Sequence, residues 1–325
     1  IAATGADIID ARLVASSVTT SETVVVDSSI TPKNWTVQEN PTLITNNLQI
    51  TARRMSIGQD AYTPLSVQVL HTGGASSANA RLESVQLVAN GVIDDSLNFD
   101  IVQLSPLPIT LQPGNLSTIN FQIRPTTTAI PDSFEFQSLL GYSDANDPAN
   151  LIFSDTSTVQ DTLVLQTPPQ LAAYPIIVSR DTTHWGKSGD TVSVILRNSG
   201  QATARITSAQ MTLPVFGLPY SVLNIQRNLL GGITFPRNLA GNDSLQLQYL
   251  LIYQGNPGID DVVRYQLAAT AEDVNNGTDV SLSADSSDTS TAVTVRTPPD
   301  IAYLSGSLDP PNILPVANGV VFSVA

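Results

Sequence analysis

Cysteine is absent from this chain, and lysine (Lys33, Lys187), histidine (His71, His184) and tryptophan (Trp35, Trp185) each occur only twice. Each scarcity excludes something. Without cysteine there are no disulfide staples, no thiolate nucleophile and no Cys-ligated zinc, so the domains must hold by core burial alone. The formal charge of −14 and sequence pI near 4.3 make nucleic acid a poor partner, because neutralising phosphates needs clustered Lys and Arg. Anionic membrane surfaces are excluded on the same ground. No apolar run approaches the roughly 18 residues of a membrane helix, so no membrane insertion is expected within this segment. A basic, apolar leader is also missing, and residue 1 is Ile rather than Met. A chain whose leader has been removed, or a piece of something longer, would read this way.

What the chain does contain is enough apolar residue to build cores, 42% of 325 residues. That length suits two units of roughly 100–150 residues. Charged residues are only 13%, so Ser, Thr, Asn and Gln must wet the surface. This economy fits an extracellular or cell-surface protein.

The chain repeats itself. SDTSTVQDTLVLQTPPQLAAY ends at Tyr174 and SDTSTAVTVRTPPDIAY at Tyr303, so Thr167-Pro168-Pro169 returns as Thr297-Pro298-Pro299 after 130 residues. Other anchors recur in the same order. LSVQVLHTGG (65–74) matches VSVILRNSGQ (192–201), and LQPGNLSTINFQI (111–123) matches LAGNDSLQLQYLL (239–251). GYSDANDPANLIFSD (141–155) matches ATAEDVNNGTDVSLSAD (269–285). Ordered anchors of this kind mark internal duplication. The expected organisation is closing strands of a preceding repeat over 1–26, a linker or edge segment over 27–40, whole repeats over 41–167 and 168–297, and opening strands of a following repeat over 298–325. A chain stopping inside GVVFSVA leaves a strand edge open. Covalent continuation into a tandem array is expected to cover it, with strand exchange between copies as the alternative.

Within each repeat the hydrophobic period is two. SLQLQYLLIY sets Leu245, Leu247, Tyr249 and Leu251 on one face, and SFEFQSLLGY does so with Phe134, Phe136, Ser138 and Leu140. Short strands separated by Gly, Pro, Asn and Asp turns, with no helical stripe, predict an all-β fold of tandem immunoglobulin-like antiparallel β-sandwiches. Proline after the closing strand ends one sandwich and stiffens the passage to the next.

Three stretches also carry a family resemblance: V-x-V-x-L-x-N-x-G-x-A-x-A over Val192–Ala204, L-x-P-G-x-x-S-x-x-x-F over Leu111–Phe121, and Asp-x-Asn at Asp144–Asn146 and Asp273–Asn275. The pattern resembles CARDB-type and related immunoglobulin-like repeats of prokaryotic surface proteins, without the acidic run that follows Asp-x-Asn there. The resemblance implies stalks, adhesins, surface layers or appendages of secreted enzymes.

Candidate sites are few. His71 stands where Asn198 stands in the other repeat, just after a strand, which predicts a turn residue rather than a triad base. His184 adjoins Trp185, whose ring could stack on a sugar or plug the end of a sandwich. The loops SDANDPAN and EDVNNGTD offer carboxylate and amide oxygens at alternating positions, as a hard cation requires. Those residues also make ordinary turns. Asp144, Asp147, Asp273 and Asp279 would be the ligands if calcium bound. The sequons at Asn34, Asn115, Asn242 and Asn276 include two Gly-Asn-x-Ser turns, at Asn115 and Asn242, that look equivalent. No catalytic motif, paired carboxylate, metal set or cofactor motif emerges, and the repeats share turns and core rather than polar chemistry.

The expected role is therefore a non-catalytic, structural or adhesive repeat region of a large extracellular prokaryotic surface protein: a stalk, surface layer or filament component. Its partners would be neighbouring repeats, copies of itself, or cell-surface and matrix components. The alternative is a set of accessory modules of a secreted hydrolase that bind carbohydrate; these would show several coplanar exposed aromatics.

Overall fold

The computed structural model describes residues 5–9, 13–16, 23–26, 33–214, 221, 224–282 and 289–299, with side chains described from residue 38 onward. The stretch expected to open a following repeat lies outside them from residue 300. Strand dominates among the described residues.

Four short strands come first: β1 (Gly5–Ile9), β2 (Leu13–Ser16), β3 (Thr23–Val26) and β4 (Lys33–Val37). β1 pairs antiparallel with β4, and β2 with β3.

The first whole unit runs through β5 (Leu43–Ile50), β6 (Arg54–Ser56), β7 (Thr63–His71), β8 (Ala80–Ala89), β9 (Val92–Ile93), β10 (Phe99–Gln103), β11 (Ile109–Leu111), β12 (Leu116–Pro125), β13 (Ser133–Asp144), β14 (Asp147–Phe153) and β15 (Asp161–Gln166). One sheet orders them β10-β12-β7-β5 and the other β11-β8-β13-β15-β6, with β14 on β13 and β9 on β8.

The second unit follows with β16 (Leu171–Val178), β17 (Thr182–His184), β18 (Ser188–Asn198), β19 (Ala204–Thr212), β20 (Ile225–Leu229), β21 (Arg237–Leu239), β22 (Ser244–Tyr253), β23 (Asp261–Val263), β24 (Gln266–Asp273), β25 (Asp279–Ser281) and β26 (Val293–Arg296). Its sheets, β16-β18-β22-β20 and β21-β19-β24-β25, repeat the first unit's order. The long β13 is represented by two strands, β23 and β24, and β23 carries the pairing to the closing strand β26.

Among the described strands the pairing is antiparallel except once in each unit. β15 runs parallel to β6 and β26 parallel to β17, because the first strand of each unit leaves one sheet and finishes on the other. The alternating strands bury the faces that their sequences specify. Phe134, Phe136, Ser138 and Leu140 all point inward, as do Leu247, Tyr249 and Leu251. Each unit has its own hydrophobic cluster, drawn from residues 43–165 and 171–295 respectively. In the first, Phe99 bridges the sheets, meeting Phe134 and Phe136 edge-on at 4.9 Å. In the second, Tyr265 occupies the register of Phe136 and Tyr249 that of Phe121, so hydroxyls enter the core. They are satisfied there: Tyr253 and Tyr265 share a 3.0 Å hydrogen bond, and Tyr249 donates to the Ala209 carbonyl.

Candidate functional site at the joint between units

The duplicated turn residue does the same structural work in both units. Asn198 is wholly buried at the end of β18. Its Oδ1 accepts from the N–H groups of Gly200 and Gln170, both at 3.1 Å. Its Nδ2 donates to the Ala202 carbonyl at 2.8 Å and to those of Leu239 and Ala240 at 3.3 Å. His71, equally buried, copies part of this. Its Nδ1 accepts from Gly73 N–H at 3.0 Å, and its Nε2, 2.9 Å from the Ala78 carbonyl, carries the hydrogen in that tautomer. An imidazole locked between two backbone groups is a brace, at the turn position that the repeat assigned to it.

The backbone that these braces hold in place receives the preceding unit. At the second joint, Gln166 ends β15 and donates from Nε2 to the Gln201 carbonyl at 3.2 Å, while the Thr167 carbonyl accepts from Ala202 N–H at 3.0 Å. Thr167 N–H in turn donates to Gln201 Oε1, and Gln201 N–H to Thr167 Oγ1. Gly200 lies so close to this strand that a Cβ there would overlap the carbonyl oxygen of Pro168. From the other side, Asn275 Nδ2 donates to Gln166 Oε1 at 3.1 Å and to the buried Ser56 Oγ at 3.0 Å. Ser56 and Gln166 belong to the first unit and Asn275 to the second.

The first joint shows the same arrangement, shifted by one repeat. Gln38 Nε2 donates to the Ser77 carbonyl at 3.4 Å, and the Glu39 carbonyl accepts from Ala78 N–H at 2.9 Å. Asn146 Nδ2 donates to Gln38 Oε1 at 3.2 Å. Gln38 stands five residues before β5 and Gln166 five before β16, so the correspondence holds residue for residue.

The Asp-x-Asn turns present these asparagines. Asp144 Oδ1 accepts from Asn146 N–H at 2.8 Å, and Asp273 Oδ1 from Asn275 N–H at 2.9 Å. Both turns cap hairpins, β13–β14 and β24–β25, at the end of their unit that faces the preceding one. Among the described residues no group of three His, Cys, Asp or Glu side chains could hold a metal ion. The other oxygen of Asp273 is buried without a hydrogen-bond partner.

The remaining candidates are dispersed. His184 is exposed on β17, and Trp185 beside it is buried at 3% exposure, with Nε1 donating to the Ile259 carbonyl and its ring edge-on to Tyr253. The tryptophan is a plug of the sandwich. Asn115 and Asn242 are exposed, but one position apart in the repeat: Asn242 shares its positive φ with Gly114, so Asn115 aligns with Asp243. The shared letters Gly-Asn-x-Ser therefore mislead by one residue. Buried carboxylates are separate braces. Asp161 accepts from Ile50 N–H at 2.9 Å, and Asp190 from the Thr183 hydroxyl at 2.7 Å with Lys187 beside it.

A cleft of about 750 Å³ opens on the first unit beside Asp100 and Arg124. The Tyr62 hydroxyl donates to Asp100 Oδ2 at 2.6 Å, the Arg124 guanidinium reaches the same oxygen at 2.9 Å, and it stacks 4.7 Å above the Tyr62 ring. The Tyr62 hydrogen bond, and then Arg124, hold the Asp100 carboxyl below its usual range. In the second unit Gln226 and Ile252 take the places of Asp100 and Arg124, so this cluster is not part of the repeated design.

No family model matches the chain, and no curated protein sequence matches it. Solved structures do align with it. The C-terminal domain of the antigen I/II-family protein AspA from Streptococcus pyogenes aligns at 8% identity and a TM-score of 0.29, covering 79% of this chain and 100% of that one. The BspA C-terminal domain of Streptococcus agalactiae gives 10% identity and 0.28, over 79% and 99%. The Yersinia pseudotuberculosis adhesin InvE gives 12% and 0.23, over 78% and 60%. These neighbours are bacterial surface adhesin domains; at such TM-scores the functional reading rests on this chain's own repeats and joints.

Proposed function

We propose that this chain is a structural or adhesive tandem-repeat segment of an extracellular prokaryotic surface protein, without catalytic activity. One observation carries the reading. The two joints are built from corresponding residues with corresponding hydrogen bonds, whereas the polar cluster at Asp100 and Arg124 exists in one unit alone. Repetition has kept the means of stringing units together and let the rest of the polar surface diverge. A stalk, layer or filament component uses that; an enzyme would need one elaborated site. The alternative, a carbohydrate-binding accessory module, calls for an aromatic platform. Trp185 is spent in the core, and the exposed Phe153 and Tyr174 belong to different units.

Brief protease treatment of intact host cells tests this reading. Peptides from these repeats are expected in the released fraction while cytosolic markers stay inside. Recovery only from lysed cells would contradict it. The purified chain is likewise expected to show no turnover of glycoside, peptide or ester substrates. Activity abolished by His184→Ala would overturn the non-catalytic part.

A further inference from the structure

We infer that the Asp-x-Asn turn and the glutamine ending the preceding closing strand form a repeated latch that fixes successive sandwiches in one relative orientation. The inference rests on the tandem-repeat reading above and adds the residues that set its geometry.

The latch has two halves on two units. Glutamine supplies both a donor and an acceptor: its Nε2 holds the carbonyl of Ser77 or Gln201, and its Oε1 takes a hydrogen from Asn146 or Asn275. A side-chain amide serves both at once, which a guanidinium, an ammonium or an ionised carboxylate cannot. Asparagine is pre-aimed, because its own N–H is tied back to the aspartate two positions earlier. A proline linker alone limits the swing of one sandwich on the next but leaves rotation about the strand axis. Contacts to two separate segments of the next unit, the Gln201 turn and the Asn275 turn, remove that rotation. The motif read as turn chemistry or a cation loop is thus the receiving half of a contact between units.

Two consequences follow for the ends of the chain. β4, which leads directly into Gln38, occupies the place of a closing strand, so residues 33–37 are assigned to the sandwich that precedes the first whole unit rather than to a linker or edge segment. At the other end Arg296 stands where Gln38 and Gln166 stand, before Thr297-Pro298-Pro299. A guanidinium donates but cannot accept. A unit docked on Arg296 in the same way would have to offer an acceptor, an Asn Oδ1 or a carboxylate, where Asn275 offers a donor.

Because the chain has no cysteine, spin labels can be placed at will. Asn120→Cys and Gln248→Cys lie at exposed, corresponding positions of β12 and β22. Pulsed dipolar spectroscopy on the full chain should give a single narrow distance distribution. Asn275→Ala and Gln166→Ala are each expected to widen it at least about two-fold while the melting temperatures of the units stay within a few degrees. Asn275→Asp, which keeps the size but cannot donate, should widen it equally, and Asn46→Ala, outside the joint, should not. Unchanged distributions in the Asn275 and Gln166 variants would overturn the latch, as would a broad distribution in the parent. Either result would leave the surface location, read by proteolysis of cells, untouched.

Discussion

Asn198→Ala is expected to lower the stability of the second unit by about 4 kcal/mol or more. The side chain is wholly buried and makes five hydrogen bonds to the backbone of three separate segments. Removing it strands the buried Gly200 N–H and Ala202 carbonyl and takes the partner of the part-buried Gln170 N–H; each buried orphan costs about 1–3 kcal/mol. For a domain of this size the melting temperature should fall by roughly 15 °C or more. Asn198→Asp, which keeps the acceptor and loses the donors, should fall between parent and Ala. Calorimetry of the full chain reads the effect: the two units have separate cores, so two transitions are expected and only one should move. A shift below about 4 °C would mean that the turn holds without its brace.

Base should unfold the second unit before the first. Burial pushes Tyr253 and Tyr249 up to about 12, and pushes Tyr265 higher still. A folded-state pKa above the unfolded value means that the stabilisation is complete below about pH 10 and is lost as pH rises toward the folded value. Between pH 10 and 11 the unfolded chain sheds these protons while the folded one keeps them. The loss is about 1.4 kcal/mol per group per pH unit, or on the order of 3 kcal/mol for the Tyr253–Tyr265 pair alone. In the first unit the corresponding core position of Tyr265 is Phe136, which does not titrate. Beyond the contribution of exposed tyrosines such as Tyr174, absorbance near 295 nm, which follows phenolate, should rise in one further step with unfolding of the second unit between pH 10 and 12. In a Tyr174→Phe background, loss of that step on Tyr265→Phe is expected; ionisation of all the tyrosines with the unit still folded would show the rings to be more accessible than the structure makes them.

The strands of both units were legible because burying one face forces a period of two, as in Phe134 to Leu140 and Leu247 to Leu251. The duplication was legible for a related reason: turns such as Leu111 to Leu116 and Leu239 to Ser244 need special residues at fixed places. The shared position of His71 and Asn198 could also be read, though not their task. An amide and an imidazole look unlike as letters, yet both offer one donor and one acceptor at a similar reach. Trp185 stayed ambiguous because exposure is a tertiary property, and neighbouring Gly and Lys suggest a loop.

The proline passage between units was legible, but the polar contacts of the joint were not. Its halves, Gln166 and Asn275, are 109 residues apart, and glutamine at the end of a strand carries no local signature. One signal was present. Gln38 and Gln166 keep the same spacing to β5 and β16, although Glu-Asn-Pro replaces Thr-Pro-Pro between them. Aligning on the prolines alone hid that match and left residues 27–40 without a counterpart.

The central claim is that the chain carries two complete, separately cored sandwiches in series, held end to end by a small polar joint. Pulling the full chain from its two ends tests this most directly. A unit of roughly 125 residues at about 3.5 Å per residue releases, after subtracting its folded length, about 400 Å of contour. The account predicts two unfolding events of that size, unequal in force but equal in length. A single event of about twice that length, or a series of much shorter ones, would contradict it.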